Sequence, residues 1–265
     1  MAHFKTPDYS IAYTTIDQAW SHDLVFLNGN LATNRWWIPT VEHLHSMAPG
    51  PQKKGRLILI ELPGCGDSAP LEKDLNTVEI ANQYLELLKS LNVEKTSIIG
   101  HSTGGLIAAM MMSKKPEMFD RALLLDPVGP QGITFENSVL EKYEEMKTNR
   151  TMTAMIIGFT INNCDMGSAF FNDVIVTDTQ KAVQNVGARM ILALRDKTFE
   201  AELTNFKTPT TVLFGEKDVL LPKAHAQALA SMNPNGKFVV VPGIGHCMNI
   251  ENPRLMAEFI KNELY

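Results

Sequence analysis

Ser102 stands in the stretch "IIGHSTGGLIAAMMM", with Gly100 two residues before it and Gly104 two residues after. A serine hydroxyl is a poor nucleophile until a base removes its proton, so this serine asks for a histidine elsewhere in the chain. The histidine in turn asks for a carboxylate that fixes its tautomer and stabilises the imidazolium. His246, in "VPGIGHCMN", and Asp218, in "LFGEKDVLLP", meet these needs in the chain order Ser, Asp, His. Asp126, in "LLLDPVG", is the alternative acid, because it also ends a predicted strand. In a further stretch, "LNGNLATNRWW", Gly29 allows a sharp turn that aims the amide of Asn30 at the same point as the amide of Thr103. Two such donors stabilise a tetrahedral oxyanion by on the order of 3 kcal/mol each. The dipole of the helix that Thr103 opens acts in the same direction.

The elements that must position these groups follow from the hydrophobic pattern. Residues 9–16 and "DLVFL" are β-branched, aromatic or aliphatic, as strands require. "RLILIEL", "TSIIG", "RALLLDPVG", "TTVLFGEKD" and "KFVVVPGIG" are apolar runs of the kind buried on both faces of a parallel sheet. Helices fit "TNRWWIPTVEHLHSM", "TVEIANQYLELLKSLN" with Thr77 as its N-cap, "GLIAAMMMSKKP", "KAHAQALASM" and "PRLMAEFIKNEL". This alternation predicts an α/β fold, a mostly parallel central sheet with helices on both faces. Chemistry in such a sheet gathers at the carboxyl ends of the strands, where all the groups above lie. The turn at Ser102 is tight enough that Cβ atoms at Gly100 and Gly104 would clash.

The alternation breaks between about Pro127 and Phe206, where helical stretches such as "NSVLEKYEEMK" and "DTQKAVQNVGARMILALRD" dominate. That length is too great for a plain loop and predicts a helical cap. The expected organisation is an α/β core over residues 1–127, a cap or lid over 128–206, and the rest of the core over 207–265.

At 265 residues the chain can bury a sizeable core without disulfides or metals. Its net charge of -5, with no basic run longer than a Lys-Lys pair, argues against nucleic acid as a partner. Cys65, Cys164 and Cys247 are odd in number and far apart, which reads as reduced thiols and no zinc site. The start "MAHFKTPDYS" lacks the pattern of a secretory signal, and no apolar run reaches the length of a membrane span, so a cytoplasmic protein is expected. The oligomeric state is not legible.

"GHSTGG", "ELPGCGDS" and "GHCMNIENP" together make the sequence resemble the α/β-hydrolase superfamily, in its serine branch with a helical lid, over nearly the whole chain. The resemblance implies Ser102 as nucleophile, Asp218 as acid, His246 as base, and the amides of Thr103 and Asn30 as oxyanion hole. It departs where many relatives have His-Gly and this chain has Asn28-Gly29, which leaves Leu31 as an alternative amide donor. The implied activity needs no metal and no cofactor: hydrolysis of a small-molecule carboxylic ester or lactone with a largely apolar acyl part, through an acyl-enzyme on Ser102. An acyltransferase, a perhydrolase or a carbon-carbon hydrolase would use the same triad, and a small-molecule receptor that keeps the fold is the non-enzyme alternative. Methionines and phenylalanines of the insertion suit an adaptable apolar pocket, Met146, Met152, Met155, Met166 and Met190 interleaved with Phe135, Phe159, Phe170 and Phe171. Leu31, Trp36, Trp37, Met155 and Phe159 are the expected pocket lining. His101 and Cys247 are read as packed neighbours of the nucleophile and base.

Overall fold

The computed structural model describes residues 1–50 and 54–265. Its strands are β1 (Ala2–Lys5), β2 (Ser10–Gln18), β3 (Asp23–Leu27), β4 (Gly55–Ile60), β5 (Thr96–His101), β6 (Phe119–Leu125), β7 (Thr210–Gly215) and β8 (Gly236–Val241). They form one eight-stranded sheet in the order β1-β2-β4-β3-β5-β6-β7-β8. β2 pairs antiparallel with β1 and β4, and the remaining pairs are parallel. The short edge strand β1 carried no sequence signal, since three of its four residues are exposed and only Phe4 packs against the core.

The helices are α1 (Ile38–Ser46), α2 (Thr77–Ser90), α3 (Thr103–Lys114), α4 (Ser138–Met146), α5 (Arg150–Phe159), α6 (Thr177–Val186), α7 (Arg189–Leu192), α8 (Lys223–Met232), α9 (Met248–Glu251) and α10 (Pro253–Leu264). Alternate strand residues serve opposite faces. Val25, Leu27, Ile58, Ile60, Ile98, Leu124 and Val212 pack under α2, α3 and α8. Their neighbours Leu24, Phe26, Leu57, Leu59, Ile99, Leu123 and Leu213 pack under α1 and α10. Both sheet faces are therefore covered, which is why these strands read as unbroken apolar runs. No helix among the described residues is long and apolar enough to cross a membrane.

Between β6 and β7 the chain forms α4 to α7, with a π-helical turn at Phe170–Val176 before α6. The expected continuous helix through "DTQKAVQNVGARMILALRD" is broken, because Gly187 adopts φ 57° and ends α6. The N-cap of α2 is Asn76, whose side chain accepts from the amides of Val78 and Glu79, and not Thr77.

Three residues expected in a pocket lie elsewhere. Trp37 is buried edge-on to Phe26, in the core beneath α1. Met155 and Phe159 are 59% and 74% exposed. They are four apart on α5 and share its outer face, whereas Ile157 and Thr153 turn inward. Apolar side chains on both faces of α5 hid its phase. Trp37→Ala is accordingly expected to cost about 3–5 kcal/mol, and Phe159→Ser less than about 0.5 kcal/mol, as read by urea unfolding of the two variants beside the wild type.

Candidate active site

Ser102 joins β5 to α3 with φ 53° and ψ -119°, a left-handed conformation that costs a non-glycine residue about 1–3 kcal/mol. Hydrogen bonds to the adjacent strand hold it there: its amide donates to Leu125 O at 2.9 Å, and its carbonyl accepts from the Val128 amide at 3.1 Å. A Cβ on Gly100 would lie 2.6 Å from Gly104 O, and one on Gly104 would lie 2.5 Å from Asn28 O. Both contacts are with backbone, which cannot swing aside.

Asp218 follows β7 and His246 follows β8. His246 Nδ1 lies 2.7 Å from Asp218 Oδ2, and both side chains are buried. Asp218 Oδ1 also accepts from the amides of Leu220, at 2.7 Å, and Leu221, at 3.2 Å. Burial alone would raise the Asp218 pKa, but the hydrogen bond and charge of His246, helped by these amides, hold it below the usual carboxylate value. The carboxylate is therefore ionised beside the ring nitrogen it orients.

His101 does more than pack. Its Nε2 lies 2.9 Å from the carbonyl oxygen of His246, so Nε2 carries the proton and donates. Burial, then the neighbouring His246, push the His101 pKa down to about 3 and keep the ring neutral. Glu251 grips the other side of the same loop, accepting from the amides of Gly245 at 2.8 Å and Cys247 at 3.2 Å. The segment "GHCMNIENP" held the signal for Glu251, whereas the bond from His101 joins residues too distant in sequence to be foreseen.

The loop after β3 lies against the nucleophile. A Cβ on Gly29 would sit 2.8 Å from His101 Nδ1 and 3.1 Å from Ser102 Cβ. Burial, then the Glu61 charge, push the Cys65 thiol up to about 12, and a hydrogen bond from the Leu31 amide partly offsets them. The amides of Asn30 and Thr103 have no acceptor among the described residues, and that of Leu31 faces the Cys65 thiol. Beneath the loop, buried Asn28 donates through Nδ2 to Asn34 Oδ1 at 2.8 Å, and Glu61 Oε1 accepts the Asn34 amide at 3.0 Å. Gly66 leaves room for that carboxyl: a Cβ there would lie 2.3 Å from Glu61 Oε1.

These groups open onto a cavity of about 390 Å³ that Ser102, Thr103, Asn30, His101 and His246 line. Its far wall comes mainly from the β6–β7 insertion, through Val139, Met146, Ile156, Ile157, Thr160 and Ile191, with Lys142 and Tyr143 as polar members. Leu31 and Trp36 line it, and of the methionines and phenylalanines singled out in the insertion only Met146 and Phe135 do. Branched aliphatic side chains, not methionines, make most of the apolar wall.

A mostly parallel sheet in this strand order, with a strained serine after β5 and a histidine-carboxylate pair after β7 and β8, defines a class that comparison with known proteins identifies. A sequence model of the alpha/beta hydrolase family matches residues 24–259. The chain belongs to the alpha/beta hydrolase family. An uncharacterised protein of Mycobacterium tuberculosis is 23% identical over 233 residues, and the match covers 77% of this chain and only 66% of that longer relative. RutD of Pseudomonas savastanoi, named as a candidate carbamate hydrolase, is 23% identical over 247 residues, covering 89% of this chain and 93% of RutD. Among solved structures, the enol-lactonase of Burkholderia xenovorans superposes with a TM-score of 0.78 at 17% identity, covering 98% of each chain.

The buried carboxyl under the loop has a measurable signature. Burial raises the Glu61 pKa to about 8, against an unfolded value of about 4.3. The unfolded chain releases this proton first, so the wild type loses stability as pH rises between these two values, by up to about 1.4 kcal/mol per pH unit. Glu61→Gln keeps an acceptor for the Asn34 amide and removes that slope. Urea unfolding at pH 5, 6.5 and 8 is expected to show the variant gaining on the wild type at each step, and a constant difference would rule the assignment out.

Proposed function

We propose that the protein is a cofactor-independent serine hydrolase of small carboxylic esters or lactones with a largely apolar acyl part. The observation that carries this reading is the 2.7 Å bond between His246 and an ionised Asp218, with His246 and Ser102 lining one cavity. His246 takes the proton of Ser102 Oγ as that oxygen attacks the substrate carbonyl. The amides of Asn30 and Thr103, which have no other acceptor among the described residues, receive the oxyanion. His246 then returns the proton to the leaving alkoxide, and water, deprotonated by the same ring, releases the acyl group. In a lactone the leaving alkoxide stays attached to the acyl group, so one hydrolysis opens the ring.

The helical segment over residues 128–206 serves as a lid that supplies the acyl wall. The enol-lactonase named above makes a lactone a reasonable substrate class. The carbamate chemistry named for RutD would use the same serine attack on a carbonyl. A cavity of about 390 Å³ is near the small end for ligand sites, which favours short or medium acyl chains over long ones.

Hydrolysis of p-nitrophenyl esters from acetyl to dodecanoyl tests the reading, with Ser102→Ala and His246→Ala beside the wild type. Both variants are expected to lose about 10³-fold or more in kcat/KM, with a wild-type optimum below the longest chains. Turnover that survives in either variant excludes this mechanism. Tight binding of an ester or lactone without steady turnover favours a receptor.

A further inference from the structure

The reaction scheme uses Asp218 and leaves a second carboxyl beside it unexplained. Asp126 follows β6 in left-handed backbone, at φ 41°, and is buried. Its Oδ1 accepts the Gly215 amide at 2.7 Å. Its Oδ2 is closed off from solvent and receives no donor among the described residues. One oxygen of Asp126, one oxygen of Asp218 and one ring nitrogen of His246 all lie within 4.8 Å of one another.

Two ionised carboxylates at such range, both out of water, repel strongly, and one of them keeps its proton. Asp218 already takes three donors, from His246 and the amides of Leu220 and Leu221, and all of these favour its charged form. Asp126 takes one. We infer that Asp126 is a positioning residue of the candidate triad, a neutral carboxylic acid that donates a hydrogen bond to Asp218 and, through it, restrains His246. The inference rests on the proposed triad, because Asp126 acts only through Asp218.

Other charged and titratable groups around the pair agree. Burial, then the charge of Asp218, push the Asp126 pKa well up, and Glu251 on α9 adds to this. The thiol of Cys247 is held up by its own burial and contributes no charge. His101, behind His246, is kept neutral. A donor O–H on Asp126 also gives the otherwise orphaned Oδ2 a bond, which a buried polar atom requires. A hydrogen bond from a neutral acid to a carboxylate is short and strong, so it fixes the Asp218 carboxyl plane.

Asparagine copies the neutral acid: its carbonyl accepts the Gly215 amide and its NH₂ donates to Asp218. Alanine removes both bonds. The test compares Asp126→Asn, Asp126→Ala and Asp218→Asn in ester hydrolysis across pH 5–9 and in thermal unfolding across the same range. Asp126→Asn is expected to keep kcat/KM within about fivefold of wild type, with the acid limb of its pH profile unmoved. Asp126→Ala is expected to lose about tenfold in kcat with little change in KM. Its acid limb moves to higher pH, because Asp218 then bears its full charge against His246. Asp218→Asn is expected to fall by about 10²–10⁴-fold.

Thermal unfolding reads the proton without reference to activity. A neutral folded Asp126 makes the wild type lose stability as pH rises above the unfolded carboxyl value, so the Tm of Asp126→Asn gains on the wild type from pH 5 to pH 8. If Asp126→Asn loses activity as severely as Asp218→Asn, or keeps a constant or shrinking Tm difference from the wild type across pH 5–8, Asp126 is an ionised acid and the inference is wrong. If ester hydrolysis survives in Ser102→Ala or His246→Ala, the triad is wrong, while the Tm series still reports whether Asp126 holds its proton.

Discussion

The candidate site depends on how closely two backbone segments approach each other at Ser102. The position of a Cβ on Gly104 falls 2.5 Å from Asn28 O, so the start of α3 rests directly on the loop after β3. Only because of that contact do the amides of Asn30 and Thr103 share one small volume with the serine. The strained φ of Ser102 persists because β6 holds the turn from the other side, through Leu125 and Val128. Three strands thus fix one residue. A slip of a single residue in any of them would turn their side chains to the opposite face and separate the groups.

Electrostatics at the site follow from counting donors to buried acids. Glu61, Asp126 and Asp218 are all withdrawn from water, and desolvation raises each of them. Only Asp218 ends below its ordinary value, because an imidazole and two amides face it. Glu61 has the Asn34 amide and a longer contact of 3.3 Å from Asn28 Nδ2, which is too little to offset its burial. Burial sets the direction for all three, and hydrogen bonds to the charged form decide which one escapes it. Of these three acids, only Asp218 places a negative charge beside His246.

Much of the core was legible in the sequence. Strands covered on both faces must be apolar along their whole length, and "RLILIEL", "TSIIG" and "RALLLDPVG" announced themselves for that reason. Ser102, Asp218 and His246 were legible because strand-end loops are the places such a sheet presents side chains together. The pocket was not. Helix α5 is apolar around much of its circumference, so residue type pointed to Met155 and Phe159, while the phase that turns Ile156 and Ile157 inward depends on packing from distant elements. The bonds from His101 to His246 and from Asn34 to Glu61 cross long stretches of chain and leave no local pattern.

The candidate triad and the apolar wall belong to different parts of the chain, yet they are tied together at the loop after β3. Asp178, on α6, accepts from Thr33 Oγ1 at 2.6 Å and pairs with Arg35 at 2.8 Å. Tyr143, on α4, accepts from Asn30 Nδ2 at 2.7 Å. The insertion therefore grips the loop on both sides of Leu31. The Arg35 end of this grip is half exposed and contributes little by itself, whereas the bond from Thr33 is buried and is costly to leave unmade. Any displacement of α4 and α6 from this position removes acceptors from Asn30 and Thr33 together. The placement of Asn30 and Thr33 is thereby made dependent on the insertion that forms the far wall of the cavity, so changes in the insertion reach this loop without touching Ser102, Asp218 or His246.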